Sequence, residues 1–201
     1  MDAVRYWMAV LTIVSVPPAI LYWFIVHPFI DVWRRVGKAT TYSVLAVMFF
    51  GGMWLLYGQR ETLMSVDYGT DPWLWLPAIV CYLLAMWIQI KIKKQLTFRI
   101  LAGVPELDAD GKGGKLLQEG LYARVRHPRY VAVLLGVIGW AMFTNYLAMY
   151  LLIPVSVLGL AGIAWFEERE LARRFGAEYE DYRRRVPMFI PRFGGRTPAG
   201  P

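Results

Sequence analysis

The chain has 201 residues, 57% of them hydrophobic and 18% charged, with a formal net charge of +7. Its apolar residues fall in long uncharged blocks, which excludes an ordinary soluble domain and predicts an all-α integral membrane protein. One cysteine and two histidines cannot build a disulfide framework or a zinc site, so no metal is expected.

Tyr6 to Val26 carries no charge over 21 residues, enough to cross about 30 Å of hydrocarbon at about 1.5 Å per residue. It is too long for a signal peptide, its leader holds only Arg5, and "VHPFID" offers no small-residue cleavage site. Pro17–Pro18 predicts a kink, tolerable where neighbouring helices satisfy the freed carbonyls. His27 then reads as an interfacial residue opening a connection, His27 to Ala39, that carries Arg34, Arg35 and Lys38. Thr40 to Tyr57 and Trp73 to Ile90 give two further blocks of 18 residues, and Cys81 in the latter reads as packing. Between them, Gly58 to Asp71 holds one Arg against Glu61, Asp67 and Asp71.

Lys91, Lys93 and Lys94 open a basic insert running to about Tyr130. Within it, Glu106 to Lys115 (ELDADGKGGK) predicts an exposed connector; it lacks the spacing and the preceding strand of a phosphate loop. Val131 to Phe166 is 36 residues long, interrupted only by Thr144–Asn145 near its middle. That is nearly twice one crossing, so it predicts a helical hairpin over about 131–166 and five crossings in all. The basic loops then share one side, which places the N-terminus outside and the C-terminus in the cytoplasm. The positive charge meets anionic headgroups of the bilayer, and nucleic acid is not needed as a partner. Residues 1–90 form three membrane helices, and 91–201 form connector, hairpin and tail.

The last apolar helix should continue through "EERELARRF" to Gly176, a left-handed cap, with Glu170 and Arg174 paired at i,i+4. "AEYEDYRRRV" follows as a short amphipathic helix with Tyr179, Tyr182 and Val186 on one face, stopped by Pro187.

A hairpin turning near Asn145 sets Glu167 level with about Arg124, and Ala164 with about His127. "RVRHPRY" and Glu167–Glu168 therefore meet at the cytoplasmic face. Pro128 sits at a first helical position with His127 extended before it, so the helix start is an anion seat. Arg126 could clamp a carboxylate or phosphate, and the glutamates could take a sugar diol or an ammonium. Tyr122 and Tyr130 could line a ring. S-adenosylmethionine would use all of these groups. More plainly, Arg129 reads as an interfacial anchor, and Arg124 could do no more than pair with Glu167.

"EGLYARVRHPRYVAVLLGVIG", the apolar hairpin and "EERELARRFGAEYEDYRRRVPMFIP" together resemble the isoprenylcysteine carboxyl methyltransferase and phospholipid methyltransferase family. The resemblance covers roughly Leu116 to Pro191. It implies a membrane enzyme that binds S-adenosylmethionine from the cytosol and takes its amphipathic acceptor from the bilayer. Carried over by position, it implies that Gly120 and Tyr122 border the cofactor and that Arg126, His127, Pro128 and Tyr130 shape its pocket. The resemblance likewise implies that Glu167 and Glu168 hold its polar groups and that Tyr179 and Tyr182 close it from the tail. One departure is Ala132, where the family often has Gly.

Methyl transfer from a sulfonium is an in-line displacement in which alignment and exclusion of water supply much of the rate. Arg126, His127 and Glu167 are the candidate catalytic residues, with Glu167, Glu168 or His127 as base for an amine acceptor. The acceptor itself, an isoprenylcysteine-like carboxylate, a phospholipid amine or a small thiol, stays open. So do two rivals: a membrane reductase binding a nicotinamide dinucleotide, and a small transporter or adaptor.

Overall fold

The computed structural model describes residues 1–93 and 116–191, and the expected connector Glu106 to Lys115 lies outside them. The described residues form helices α1 (Asp2–Val26), α2 (Ile30–Val36), α3 (Lys38–Gly58), the single turn α4 (Arg60–Leu63) and α5 (Trp75–Lys93). After the gap come α6 (Pro128–Thr144), α7 (Leu147–Phe175) and α8 (Ala177–Arg185), with short 3-10 turns at Pro72–Leu74 and Gly120–Ala123. Four helices are long and apolar enough to cross a membrane: α1, α3, α5 with the preceding turn, and α7. The apolar α6 has 17 residues.

α1, α6 and α7 pack on one another and form the centre; α3 flanks α1, and α5 lies along α6. α1 remains helical through Pro17 and Pro18. Two glycines of α7 let α1 come close. A Cβ on Gly159 would sit 2.5 Å from Ile20, and one on Gly162 would sit 2.6 Å from the Phe24 ring. Small residues at such contacts are how helices approach in a medium that supplies no hydrophobic drive between them.

The bundle end that carries the start of α1 is tied by a buried arginine. Arg5, 1% exposed, donates to the Thr144 carbonyl through Nε at 3.1 Å and Nη2 at 2.8 Å. The same guanidinium pairs with Asp67 and Asp2. Asn145, at φ 57°, makes the left-handed turn between α6 and α7. The loop after α4 covers that turn: Tyr68 N–H donates to Asn145 O, Leu147 N–H donates to Val66 O, and the Asn145 amide donates to Gly69 O. Thus a buried cation, two loop segments and a helix end satisfy one another where bare backbone would be costly.

The connection after α1 departs from the sequence reading. It is not a plain loop, because α2 forms within it, and His27 is buried among the helices. Its ring stacks on Trp23 at 5.4 Å, one helical turn back. Trp33 of α2 donates its indole N–H to Ile25 O, folding α2 back against the end of α1.

Candidate functional site

Pro128 opens α6, and His127 precedes it at φ −123° and ψ 59°, as a residue before proline must avoid the helical region. The backbone just before is fixed from the tail: Arg126 N–H donates to Pro187 O at 2.9 Å, and His127 N–H donates to Met188 O at 3.1 Å. α7 ends at Phe175, Gly176 turns the chain at φ 55°, and α8 returns towards the start of α6. Tyr179, Tyr182 and Val186 share the buried face of α8 and pack with Leu116. Tyr182 donates its hydroxyl to Tyr122 O at 2.7 Å. Gly120, at φ 63°, opens the 3-10 turn that carries Tyr122, in the left-handed region where a side chain is disfavoured.

This folding brings five expected site residues into direct contact. Glu168 Oε1 accepts from Arg126 Nε at 2.8 Å and lies 2.7 Å from Arg126 Nη2 and 3.1 Å from His127 Nε2. Glu167 Oε2 accepts from the Tyr130 hydroxyl at 2.7 Å and lies 3.5 Å from His127 Nδ1. The His127 ring is thus held at both nitrogens, and it stacks on Tyr130 at 5.3 Å with 10° between the planes. Burial alone would push this histidine down. The hydrogen bonds and charges of Glu167 and Glu168 outweigh it and lift the imidazole to about 9. At neutral pH it is a cation bridging two carboxylates.

Burial, reinforced by the negative charge of Glu167, raises Tyr122, and burial with Glu168 raises Tyr179. Both stay hydroxyl donors. The Tyr179 hydroxyl is buried yet has no hydrogen-bond partner among the described residues. All the bonds above use one oxygen of each carboxylate, so among the described residues Glu167 Oε1 and Glu168 Oε2 meet no hydrogen-bond donor. A ligand offering hydroxyl or ammonium hydrogens and accepting from a tyrosine fits such a set.

Three expectations need correction. Arg126 is not a free clamp for a ligand anion: besides Glu168 it donates to Arg183 O at 2.9 Å and Val186 O at 2.6 Å. It sits at the C-terminal end of α8, where a cation satisfies leftover carbonyls. Arg124 is exposed, and Glu167 is met by Tyr130 and His127 instead. Glu170 does not pair with Arg174 along the helix; it turns to Arg34 of α2 at 3.2 Å and His27 of α1 at 3.5 Å. A neighbour on another helix wins because Glu170 is only 11% exposed and faces the packed side of α7.

Gly120 belongs to the turn, and Pro128 fixes the helix start. Arg129 lies 5.8 Å over the Trp23 ring, linking the start of α6 to the last turn of α1. His27, Arg34 and Glu170 were not foreseen as neighbours of the site. The one signal for Glu170 was its spacing of three from Glu167; for His27 there was none beyond its being one of two histidines.

The chain is 41% identical over 76 residues to "Methanethiol S-methyltransferase 2" of Bradyrhizobium diazoefficiens, covering 38% of this chain and 29% of that one. It is 33% identical over 85 residues to "Protein-S-isoprenylcysteine O-methyltransferase B" of Arabidopsis thaliana, covering 38% and 40%. A longer match, 38% identical over 165 residues, is to "Methanethiol S-methyltransferase" of Mycobacterium tuberculosis, covering 77% of this chain and 64% of that one. The matched stretch therefore spans less than two thirds of each relative's length. No solved structure matches the chain. The phospholipid methyltransferase family model matches residues 73–178, more than half of the chain and all of the contacts between α6 and α7, and the chain belongs to that family.

Proposed function

We propose that the protein is an S-adenosylmethionine-dependent membrane methyltransferase, and that the donor binds against Glu167 and Glu168. The observation that carries this is the pair of adjacent carboxylates, each bonded among the described residues through one oxygen, which leaves the other for a ligand. The donor's ribose diol and ammonium are hydrogen-bond donors of the kind these oxygens accept, and the orphaned Tyr179 hydroxyl suits its polar end. When bound, S-adenosylmethionine supplies an activated methyl on a sulfonium.

The chain's own residues bind, orient and exclude water. His127, protonated between the glutamates, fixes both carboxylates and is not available as a base at neutral pH. Arg126 holds α8 over the site by its carbonyls, so Tyr179 and Tyr182 close it from the tail. Alignment of this kind, with water kept out, is the main source of rate in a methyl displacement.

The acceptor comes from the bilayer. A groove of about 530 Å³ between α1, α5 and α6 supports this; it is lined by apolar side chains with Thr12, Ser15 and Gln89. It begins on α6 at Ala132, two residues past Tyr130, and reaches Trp140. A neutral amphipathic thiol or an isoprenylcysteine-like compound fits such a lining, in keeping with the substrates named for the relatives. In the same reading α6 is a fifth crossing, the N-terminus is outside, and the site faces the cytoplasm.

Calorimetry with S-adenosylhomocysteine on the detergent-purified chain tests the donor. Micromolar binding, about −8 kcal/mol, is expected, weakened at least tenfold in Glu167→Gln and Glu168→Gln. Binding of a reduced nicotinamide dinucleotide instead would overturn the reading.

A further inference from the structure

S-adenosylmethionine carries its ammonium and its carboxylate on one carbon. A seat for the first therefore brings the second beside Glu167 and Glu168, whose charges repel it. A cation is needed there, and most of the nearby ones are engaged. His127 and Arg126 match Glu167 and Glu168, and Arg34 matches Glu170. Arg129 lies over Trp23, and Arg124 is exposed. Arg169 and Arg173 are exposed on the opposite side of α7 from Glu167. Arg174 is the cation left over.

Arg174 lies in the last turn of α7, seven residues after Glu167. Seven residues make nearly two full rotations, so the two share one face, about 10 Å apart along the axis. A helical side chain leans towards the N-terminus, which carries the Arg174 guanidinium back along that face towards Glu167. It is held on the tail side: Cζ lies 5.2 Å from the Phe175 ring centroid, and Phe175 packs on the cluster of Tyr179 and Tyr182. There Nε is buried and meets no hydrogen-bond acceptor among the described residues, and no carboxylate among them pairs with the guanidinium. A buried donor of a charged group left bare is costly. The Tyr179 hydroxyl is a second bare donor; the residue is fully buried, and the charges of Glu168 and Glu167 both reach it. Two unsatisfied donors thus flank the Gly176 turn beside the glutamates.

We propose that Arg174 and Tyr179 hold the carboxylate of the methyl donor, the first by a charge-assisted contact and the second by a single hydrogen bond. The open oxygens of Glu167 and Glu168 then take the ammonium and the ribose. This rests on the methyltransferase reading above. An α-amino acid group needs an acceptor for its ammonium and a cation for its carboxylate side by side; the glutamates supply the one and the last turn of α7 the other. The assignment also orients the ligand, because its amino-acid arm runs along α7 towards Gly176 and away from Ala132, where the apolar groove begins.

Calorimetry on the full chain in detergent tests this with two ligands: S-adenosylhomocysteine and its decarboxylated form, an amine that keeps the adenosine and the thioether. Wild type should bind the first about 10- to 100-fold more tightly, the range of a charge-assisted contact. Arg174→Ala should abolish that preference, binding S-adenosylhomocysteine as weakly as wild type binds the amine, and the amine at least as tightly as wild type does. Arg174→Lys should keep part of the preference. Tyr179→Phe, which leaves the ring in its cluster, should lose a smaller part than Arg174→Ala. Retained binding of the amine shows at the same time that the variants fold. Equal weakening of both ligands by Arg174→Ala would make the residue structural and overturn the proposal. So would an unchanged preference in that variant, or none in wild type. Failure of wild type to bind S-adenosylhomocysteine would instead sink the methyltransferase reading beneath it.

Discussion

His127 Nε2 lies 3.1 Å from Glu168 Oε1, and the same ring reaches Glu167 Oε2 at 3.5 Å through Nδ1. Two carboxylates from one turn of α7 are therefore locked to the residue just before α6. The lock has a pH signature. The imidazole is raised from 6.5 to about 9, so its contribution is fully present below 6.5 and is lost as pH rises through about 9. A shift of that size corresponds to roughly 3 kcal/mol at most. Melting of the detergent-solubilised protein should fall between pH 6.5 and 9.5, and His127→Gln should melt lower at pH 6.5 with a flatter profile. A wild-type melting temperature constant across that range would contradict the assignment.

Arg126 joins three chain segments, since its guanidinium holds Glu168 of α7 and the carbonyls of Arg183 and Val186 at the end of α8. Removing it leaves Glu168 to His127 alone and two carbonyls without their donor, and a buried group left unsatisfied costs about 1–3 kcal/mol. Arg126→Ala should release the tail. Limited proteolysis should cut between Gly176 and Pro191 in the variant but not in wild type, while the membrane helices stay intact. Arg126→Lys should recover part of the protection, because an ammonium can meet Glu168 but not both carbonyls at once. Equal protection in all three proteins would show that the Tyr179–Tyr182 cluster alone docks α8.

Local signals were the legible ones. Gly176 was readable as the end of α7, Pro128 as the start of α6, and the Tyr179, Tyr182, Val186 face from its spacing, because each depends on residues within a few positions. The meeting of "RHPRY" with Glu167–Glu168 followed from a 36-residue apolar run folded at its middle. What could not be read is which long side chain wins a shared partner. Arg126 and Arg124 are alike in sequence, and only the path of the tail decides that Arg126 lies inside. Glu170 faced Arg174 on paper, yet α2 and the end of α1 bring Arg34 and His27 nearer. Arg5, a lone charge before an apolar block, became the buried tie of the far end through partners more than 60 residues away.

Three glycines separate packing from function. Gly159 and Gly162 admit no Cβ, with Ile20 Cγ2 at 2.5 Å and Phe24 Cε2 at 2.6 Å from where it would stand. Gly162→Ala and Gly159→Ala should each destabilise by about 1–3 kcal/mol, and Phe24→Ala should relieve Gly162→Ala but not Gly159→Ala. Gly136 differs: nothing stands within 4 Å of its Cβ position, and it lines the groove between α1, α5 and α6. Gly136→Ala should therefore leave melting unchanged or raise it, since alanine is favoured by about 0.5–1 kcal/mol inside a helix. Gly136→Leu should fill the groove, raising the KM for a thiol acceptor at least tenfold with S-adenosylhomocysteine affinity unaltered. An unaltered KM would move the acceptor route away from this groove, because a leucine side chain placed there cannot be avoided by a molecule passing along α6 from Trp140 to Ala132.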